Sequence, residues 1–236
     1  MATRPPKKRL GRDEIVQAAL AIAEEEGIKA VSMRKVARRL DVGTMSLYHY
    51  VRTKDDLLAL MDDAIMGEIV IPEGEIPEGW RERVTLIANM SFAAWMSRPW
   101  LIDVEEDDFR ITENGLRHME QTIGALEGLD ISPGLKFELM SQVDDYIFGF
   151  AIRERKVGPG KFTETEQFEN LAGDLERMIS EGDFPNLEQM FDPEKDFRQQ
   201  WLDAIDDIYD GERFERGLNR LLDGIEAELK RTGALP

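Results

Sequence analysis

The sequence predicts an all-α protein, on three observations. Apolar residues recur at helical spacing in almost every segment of the 236-residue chain. Glycine, proline and Ser/Thr/Asp caps punctuate those segments where helices should begin and end. No segment alternates apolar and polar residues as a half-buried strand would.

Residues 1–10, basic and proline-containing, read as an arm ahead of the first helix. Asp13–Glu26 is the first helix, with Ile15, Ala19, Ile22 and Ala23 inward and Gly27 ending it. Ser32 caps the second, whose Met33, Val36, Ala37 and Leu40 fall at i, i+3, i+4 and i+7. Asp41-Val42-Gly43 breaks the run, and Gly43 is expected to supply the freedom of the turn. Thr44 is expected to cap a third helix with Leu47, Tyr50 and Val51 inward. Thr53 and Asp56 form a capping-box pattern that opens a fourth helix to about Ile69.

Two prolines and two glycines within Pro72–Gly79 make a loop and a domain boundary. The expected domains are 1–70 and 71–236. In the second, helices are expected over Trp80–Ser97, Trp100–Asp108, Thr112–Leu126, Ser132–Lys156, Thr163–Ser180, Asp192–Tyr209 and Gly211–Arg231. Pro99 stops the first of these by restricting its neighbour, and Pro133 suits a first helical position.

The third helix turns Thr44, Met45, Ser46, Tyr48 and His49 outward. These are mostly small or hydrogen-bonding groups that could enter a major groove. Arg34, Lys35, Arg38 and Arg39 stand before that face, with Arg52 and Lys54 after it, where they could meet phosphates. The net charge is −18, yet residues 1–54 hold twelve Lys/Arg and six Asp/Glu, or +6; the remaining eighteen and forty-two make −24. A basic head on an acidic body suits double-stranded DNA as partner.

Ser46-Leu47-Tyr48-His49-Tyr50-Val51 followed by Lys54-Asp55-Asp56-Leu57-Leu58 resembles the helix-turn-helix of TetR-family transcriptional repressors. Phe214-x-x-Gly217-Leu218-x-x-Leu221-Leu222-x-Gly224-Ile225-x-x-x-Leu229 resembles the last helix of the same family. The resemblance implies a ligand-responsive repressor: a helix-turn-helix domain linked by a fourth helix to a helical-bundle domain for ligand binding and dimerisation. It assigns Ser32, Arg34, Lys35, Thr44, Met45, Ser46, Tyr48, His49 and Lys54 to operator DNA, with Arg34 on a base edge and Lys54 on a phosphate. It implies a homodimer joined through Val143, Ile147, Phe214, Gly217, Leu218, Leu221, Gly224 and Ile225. Mid-helix glycine is costly, so Gly217 and Gly224 suggest close approach of another backbone.

The resemblance also implies a small-molecule inducer, apolar or aromatic, in the second domain. The bulky candidates for its cavity are Met90, Phe92, Trp95, Met96, Trp100, Met119, Ile123, Met140 and Phe148, and the polar ones Asn89, His118, Gln121 and Gln142, with Asp144 beside them. Taken singly, these residue types form plain core as readily as a pocket. Within Ser132–Lys156, Leu139, Val143, Ile147 and Phe150 form one apolar stripe, and Phe137, Met140, Phe148 and Ala151 flank another, as in a helix buried on two sides. Asp144 and Asp145 interrupt this run, either at a wet edge or with one facing inward.

The chain departs from tetracycline–magnesium repressors, which carry a histidine just beyond the helix corresponding to Trp80–Ser97; here Trp100–Val104 contains none. With two histidines and no cysteine, no metal site, cofactor or disulfide is expected. No Gly-rich phosphate loop, Gly-x-Ser-x-Gly or His-Glu-x-x-His occurs, so no catalytic residues are expected. The longest apolar run is seven residues, Tyr146 to Ile152, too short for a membrane span. A cytoplasmic location is expected. A dimeric helix-turn-helix protein without any ligand is the alternative.

Overall fold

The computed structural model describes residues 10–103, 111–157, 173–209 and 211–235. The regular elements among the described residues are all helices, with no strand, and the chain divides into two compact units, residues 1–144 and 145–236. The expected arm, most of the helix after Trp100 and the Thr163–Glu166 helix start lie outside the described residues.

The first unit begins with α1 (Arg12–Glu26), α2 (Met33–Arg39), α3 (Thr44–Leu47) and α4 (Lys54–Ile69). Gly27 takes φ 85° and turns the chain out of α1, a conformation in which a Cβ would be strained. Ser32 caps α2, its Oγ accepting from the Lys35 amide at 3.3 Å. Two expectations at the turn fail. Gly43 has φ −72°, open to any residue, and the left-handed position is Asp41, φ 53°. Asp tolerates that region because its short polar side chain can bond locally. Thr44 is the first helical residue rather than the cap; Gly43 caps α3 without a side-chain bond. Tyr50 is 38% exposed while Leu47 and Val51 are fully buried, because α3 is one turn long and the chain has left it by Tyr50.

Thr53 and Asp56 form the expected capping box: the Asp56 amide donates to Thr53 Oγ1 at 2.9 Å and the Thr53 amide to Asp56 Oδ2 at 3.0 Å. Leu57, Met61, Ile65 and Ile69 then fall every four residues along α4 and are all buried. The first three join Ile15, Ile22, Val36, Leu47 and Val51 in one core. At roughly 1.5–3 kcal/mol for each large apolar side chain buried, this stripe fixes α4 to the three short helices.

After the loop come α5 (Trp80–Ser97), a 3-10 turn (Pro99–Asp103) and α6 (Glu113–Gly124). Val84, Ile87, Ala88 and Ser91 form the buried face of α5. Thr112 caps α6, its Oγ1 accepting from the Gly115 amide at 3.1 Å. The 25-residue α7 (Pro133–Val157) follows and passes from the first unit into the second. Its Leu139, Met140, Val143, Ile147 and Ala151 are buried, whereas Phe137 and Phe148 are 55% and 42% exposed. The second stripe therefore does not lie inward as a whole.

In the second unit, helical residues 173–178 lead into a wider turn, Ile179–Asp183. Then come α8 (Pro185–Glu188), α9 (Phe197–Ile208) and α10 (Arg213–Thr232). The helix expected from Asp192 starts at Phe197, capped by Asp196. Asp192 is drawn into a turn: its carboxylate accepts from the Glu194 amide at 3.0 Å, and its own amide donates to Gln200 Oε1 at 2.7 Å. Phe214, Leu218, Leu222, Ile225 and Leu229 form the buried face of α10.

Candidate nucleic-acid interface and effector cavity

The reading face is open where it must be. Met45 is 75% exposed, and Arg34, Tyr48, His49 and Lys54 are exposed as well. Thr44 and Ser46 are half-buried at the foot of the same turn. Leu47, beneath them, anchors α3 in the core.

The cations divide into two sets. Lys35 pairs with Glu26, and Arg39 makes a forked pair with Glu25, one arm at 2.7 Å. The Arg39 hydrogen bond holds the Glu25 carboxyl below the usual carboxylate range, and its partner raises Arg39 in turn. These two pairs tie α2 to the end of α1. Arg34, Arg38 and Lys54 make no ion pair among the described residues and remain available to phosphates or bases. Ser32 Oγ accepts the cap bond from the Lys35 amide, which leaves its hydroxyl proton free to donate.

The expected ligand residues do not gather in one place. Trp100, 5% exposed, belongs to the core of α1–α4, with Leu101 packed beside it. The 3-10 turn after α5 drives it there, so it is a plug in the head rather than a pocket wall. Asn89, Met90, Phe92, Trp95 and Ile123 are half-buried, Met140 is buried, and Met119 and Phe148 are exposed. Asp144 and Asp145 are both exposed, which selects the wet-edge reading. His118 is half-buried; burial pushes its pKa down, and its Nδ1 has no partner among the described residues.

A cavity of about 270 Å³ lies elsewhere in the first unit, lined by Ile71, Ile76, Arg83, Ile87, Glu120, Gln121, Gly124, Ala125 and Glu127. Of the expected ligand residues only Gln121 lines it. Sequence reasoning missed the others. Ile71 and Ile76 sit beside prolines in a stretch read only as a linker, and two isoleucines there were the available signal. Glu120 and Glu127 were hidden by the acidity of the chain.

Gln121 also joins this cavity to α4. Its Nε2 donates to the Ile71 carbonyl at 2.6 Å, and its Oε1 accepts from the Ile71 amide at 2.9 Å. Two turns earlier, Asp63 of α4 accepts from the Asn114 amide at 2.8 Å, and Asn114 Nδ2 reaches the Asp63 carbonyl at 3.0 Å. Gly67 makes room for that amide, since a Cβ there would lie 2.9 Å from Asn114 Nδ2. Arg98 Nη2 donates to Glu68 at 2.6 Å. The second half of α4 is thus fastened to the cavity wall, while its first half is packed in the head. The Pro99–Asp103 turn is a further bridge, because it too leads from α5 into the head core.

The dimer residues split as well. Val143, Ile147, Phe214, Leu218 and Ile225 are each at most 5% exposed within one chain, so a partner cannot cover them further. The Gly217 contact is a ring: a Cβ there would lie 2.1 Å from the Tyr146 hydroxyl. That hydroxyl donates to the Phe214 carbonyl at 2.9 Å, and the two rings stack at 5.4 Å. Burial raises the Tyr146 pKa. Leu221 is half-buried, and Gly224 is exposed with open space where its Cβ would point.

Residues 15–61 match the family of bacterial regulatory proteins named tetR, and residues 73–229 match the tetracyclin repressor-like C-terminal domain. The chain belongs to the TetR family. It is therefore a DNA-binding transcriptional regulator built on the all-α TetR fold. It is 29% identical to the HTH-type transcriptional repressor DrrR1 of Streptomyces coeruleorubidus, over 95% of this chain and 80% of that protein. Among solved structures it resembles apo ActR from Streptomyces coelicolor, with 25% identity, 98% of this chain and 100% of that one covered, and a TM-score of 0.66. ActR in complex with actinorhodin matches at 26% identity over 94% and 99%, TM-score 0.66. No described helix is long and apolar enough to cross a membrane.

Proposed function

We propose that this TetR-family protein is a cytoplasmic, homodimeric repressor, released from a palindromic operator when a small apolar or aromatic inducer fills the cavity at Ile71, Ile87 and Gln121. Its functional boundary falls at residue 70, between a DNA-binding domain (1–70) and a ligand-binding and dimerisation domain (71–236). It performs no catalysis. Arg34, Met45, Tyr48 and His49 read the groove, and Lys54 and Arg38 hold phosphates. The actinorhodin complex of ActR supports an aromatic effector.

The observation that carries this reading is the Gln121–Ile71 clamp. Both residues line the cavity, and Ile71 lies just beyond α4. A molecule that shifts this wall shifts α4, and α4 cannot move without the head whose core it shares. Ligand and DNA need only favour different orientations of α4 for each to weaken the other's binding. A two-fold dimer places two heads on successive major grooves, roughly 34 Å apart, so a small rotation of α4 is enough to lose one.

The test is to find a binder by thermal shift and measure its affinity by calorimetry with and without operator DNA. A weakening of ten- to a hundred-fold, about 1.4–2.7 kcal/mol, is expected. Equal affinities would refute the inducer role and leave DNA binding standing. Gln121→Ala should retain much of the binding and lose the coupling.

A further inference from the structure

The cavity has a chemical polarity. Its floor is aliphatic: Ile71, Ile76, Ile87 and Ala125, with Ile76, 41% exposed, offering most of the open surface and the other three nearly covered. Its mouth is acidic. Glu120 lies in the last turn of α6, Gly124 ends that helix, and Glu127 lies in the turn just beyond it, and all three line the cavity. Both glutamates are exposed, and a Cβ on Gly124 would meet nothing within 4 Å, so the space at Gly124 is open. The one cation in the lining, Arg83, is turned to backbone: its Nε donates to the Pro77 carbonyl at 2.7 Å and its Nη1 to the Gly124 carbonyl at 3.2 Å. Two carboxylates against one committed guanidinium leave the mouth negative. The surrounding acidic body adds the same sign of field.

We infer that this cavity selects a lipophilic cation, with an apolar ring on the isoleucine floor and a protonated amine between Glu120 and Glu127. This rests on the proposal that the cavity holds the inducer, and adds the class of molecule. At about 270 Å³ the space is just below the range of roughly 300–1,000 Å³ usual for drug-sized ligands. It therefore takes a small bicyclic body, or one end of a longer molecule whose amine lies at the mouth. A carboxylate on the same ring would meet two like charges, and a neutral ring would gain only burial.

Three probes share a ring system and differ in charge: 2-naphthylmethylamine, 2-naphthylmethanol and 2-naphthoate. Titrated by calorimetry into the full-length protein at low salt, the amine should bind at least ~10-fold more tightly than the carboxylate, and its lead should shrink as salt rises. Glu120→Gln with Glu127→Gln should abolish that preference while the alcohol binds as before. Gly124→Leu, whose side chain enters open space, should block all three without lowering the melting temperature. If the carboxylate or the alcohol binds as tightly as the amine, the cation class is wrong and the cavity survives. If no probe binds, or binding persists in Gly124→Leu, the cavity reading itself falls and the cation proposal with it.

Discussion

The head and the last helix read alike in sequence and behave differently in structure. Both present an apolar face at helical spacing and a second face assigned to a partner. In the head, the assigned face is free: Met45 and Tyr48 are 75% and 42% exposed over a core anchored by Leu47. In α10 the assigned face is largely occupied, with Phe214, Leu218 and Ile225 buried inside a single chain. The difference is chemical. The face on α3 mixes the polar Thr44, Ser46 and His49 with two large side chains, Met45 and Tyr48, that the rest of the described chain leaves exposed. An oligomer face is apolar, and apolar spacing records burial without recording whose surface does the burying. Of the α10 residues assigned to a second subunit, Leu221 is half-buried and Gly224 exposed within one chain.

The largest effect should come from Trp100, expected in the ligand cavity and found in the core of the head. Trp100→Ala should lower stability by about 3–5 kcal/mol, the usual cost of truncating a buried aromatic. Hydrogen exchange should show the loss in α1 and α2. Protection there equal to wild type would return Trp100 to the body and break the contrast.

On the DNA side, Arg34→Ala should weaken operator binding by about 1–3 kcal/mol and relax one base position. Arg39→Ala should do less to affinity, since that cation is occupied by Glu25. A gel-shift titration in which Arg39 proved the more important would mean that the α1–α2 ion pairs open on DNA.

The two glycines of α10 sharpen the comparison further. Gly217→Ala forces the Tyr146 hydroxyl from its bond to the Phe214 carbonyl and should cost about 1–3 kcal/mol by overpacking. Gly224→Ala should gain up to about 1 kcal/mol in helix propensity, because its Cβ enters open space. Gly224→Leu should leave the chain folded but lower dimer affinity in sedimentation. A dimer indifferent to leucine at this position would place the interface elsewhere.

What was legible follows from where each signal is written. Caps and breakers act locally, so the Thr53–Asp56 box and the bounds of α5 agree with the sequence, and the helix expected from Thr112 begins one residue later with Thr112 as its cap. At the turn before α3 glycine invites the left-handed reading, and only the backbone angle shows that Asp41 takes it. The start of α9 moved from Asp192 to Phe197 because Gln200 captures the Asp192 backbone, an interaction across eight residues that no cap rule contains. The cavity leaves no local mark in the sequence because its walls come from a loop, α5 and α6 at once, and bulky residues such as Trp95 and Phe148 do not line it. Helical spacing can align Asn114, His118 and Gln121 on one side of α6, but it cannot say that α4 is what they face.

The smallest expected effect tests that last alignment. Asn114 and Gln121 pin α6 to α4 at Asp63 and Ile71, and His118 lies between them on the same side of α6. Its Nδ1 finds no partner among the described residues, and burial pushes its pKa below the ordinary value of 6.5. The folded state therefore favours neutral imidazole. Above pH 6.5 the ring is neutral in both folded and unfolded chains, and stability is complete. Below it the unfolded chain takes up a proton that the folded one resists, so stability should fall with pH until the folded pKa is reached. Many carboxylates titrate further down, so the useful quantity is the difference between wild type and His118→Gln, followed by urea unfolding from pH 8 to pH 5. The variant should lose stability less steeply just below pH 6.5. Parallel curves would mean that His118 is hydrated in solution and that the α4–α6 seam is looser than its two clamps imply.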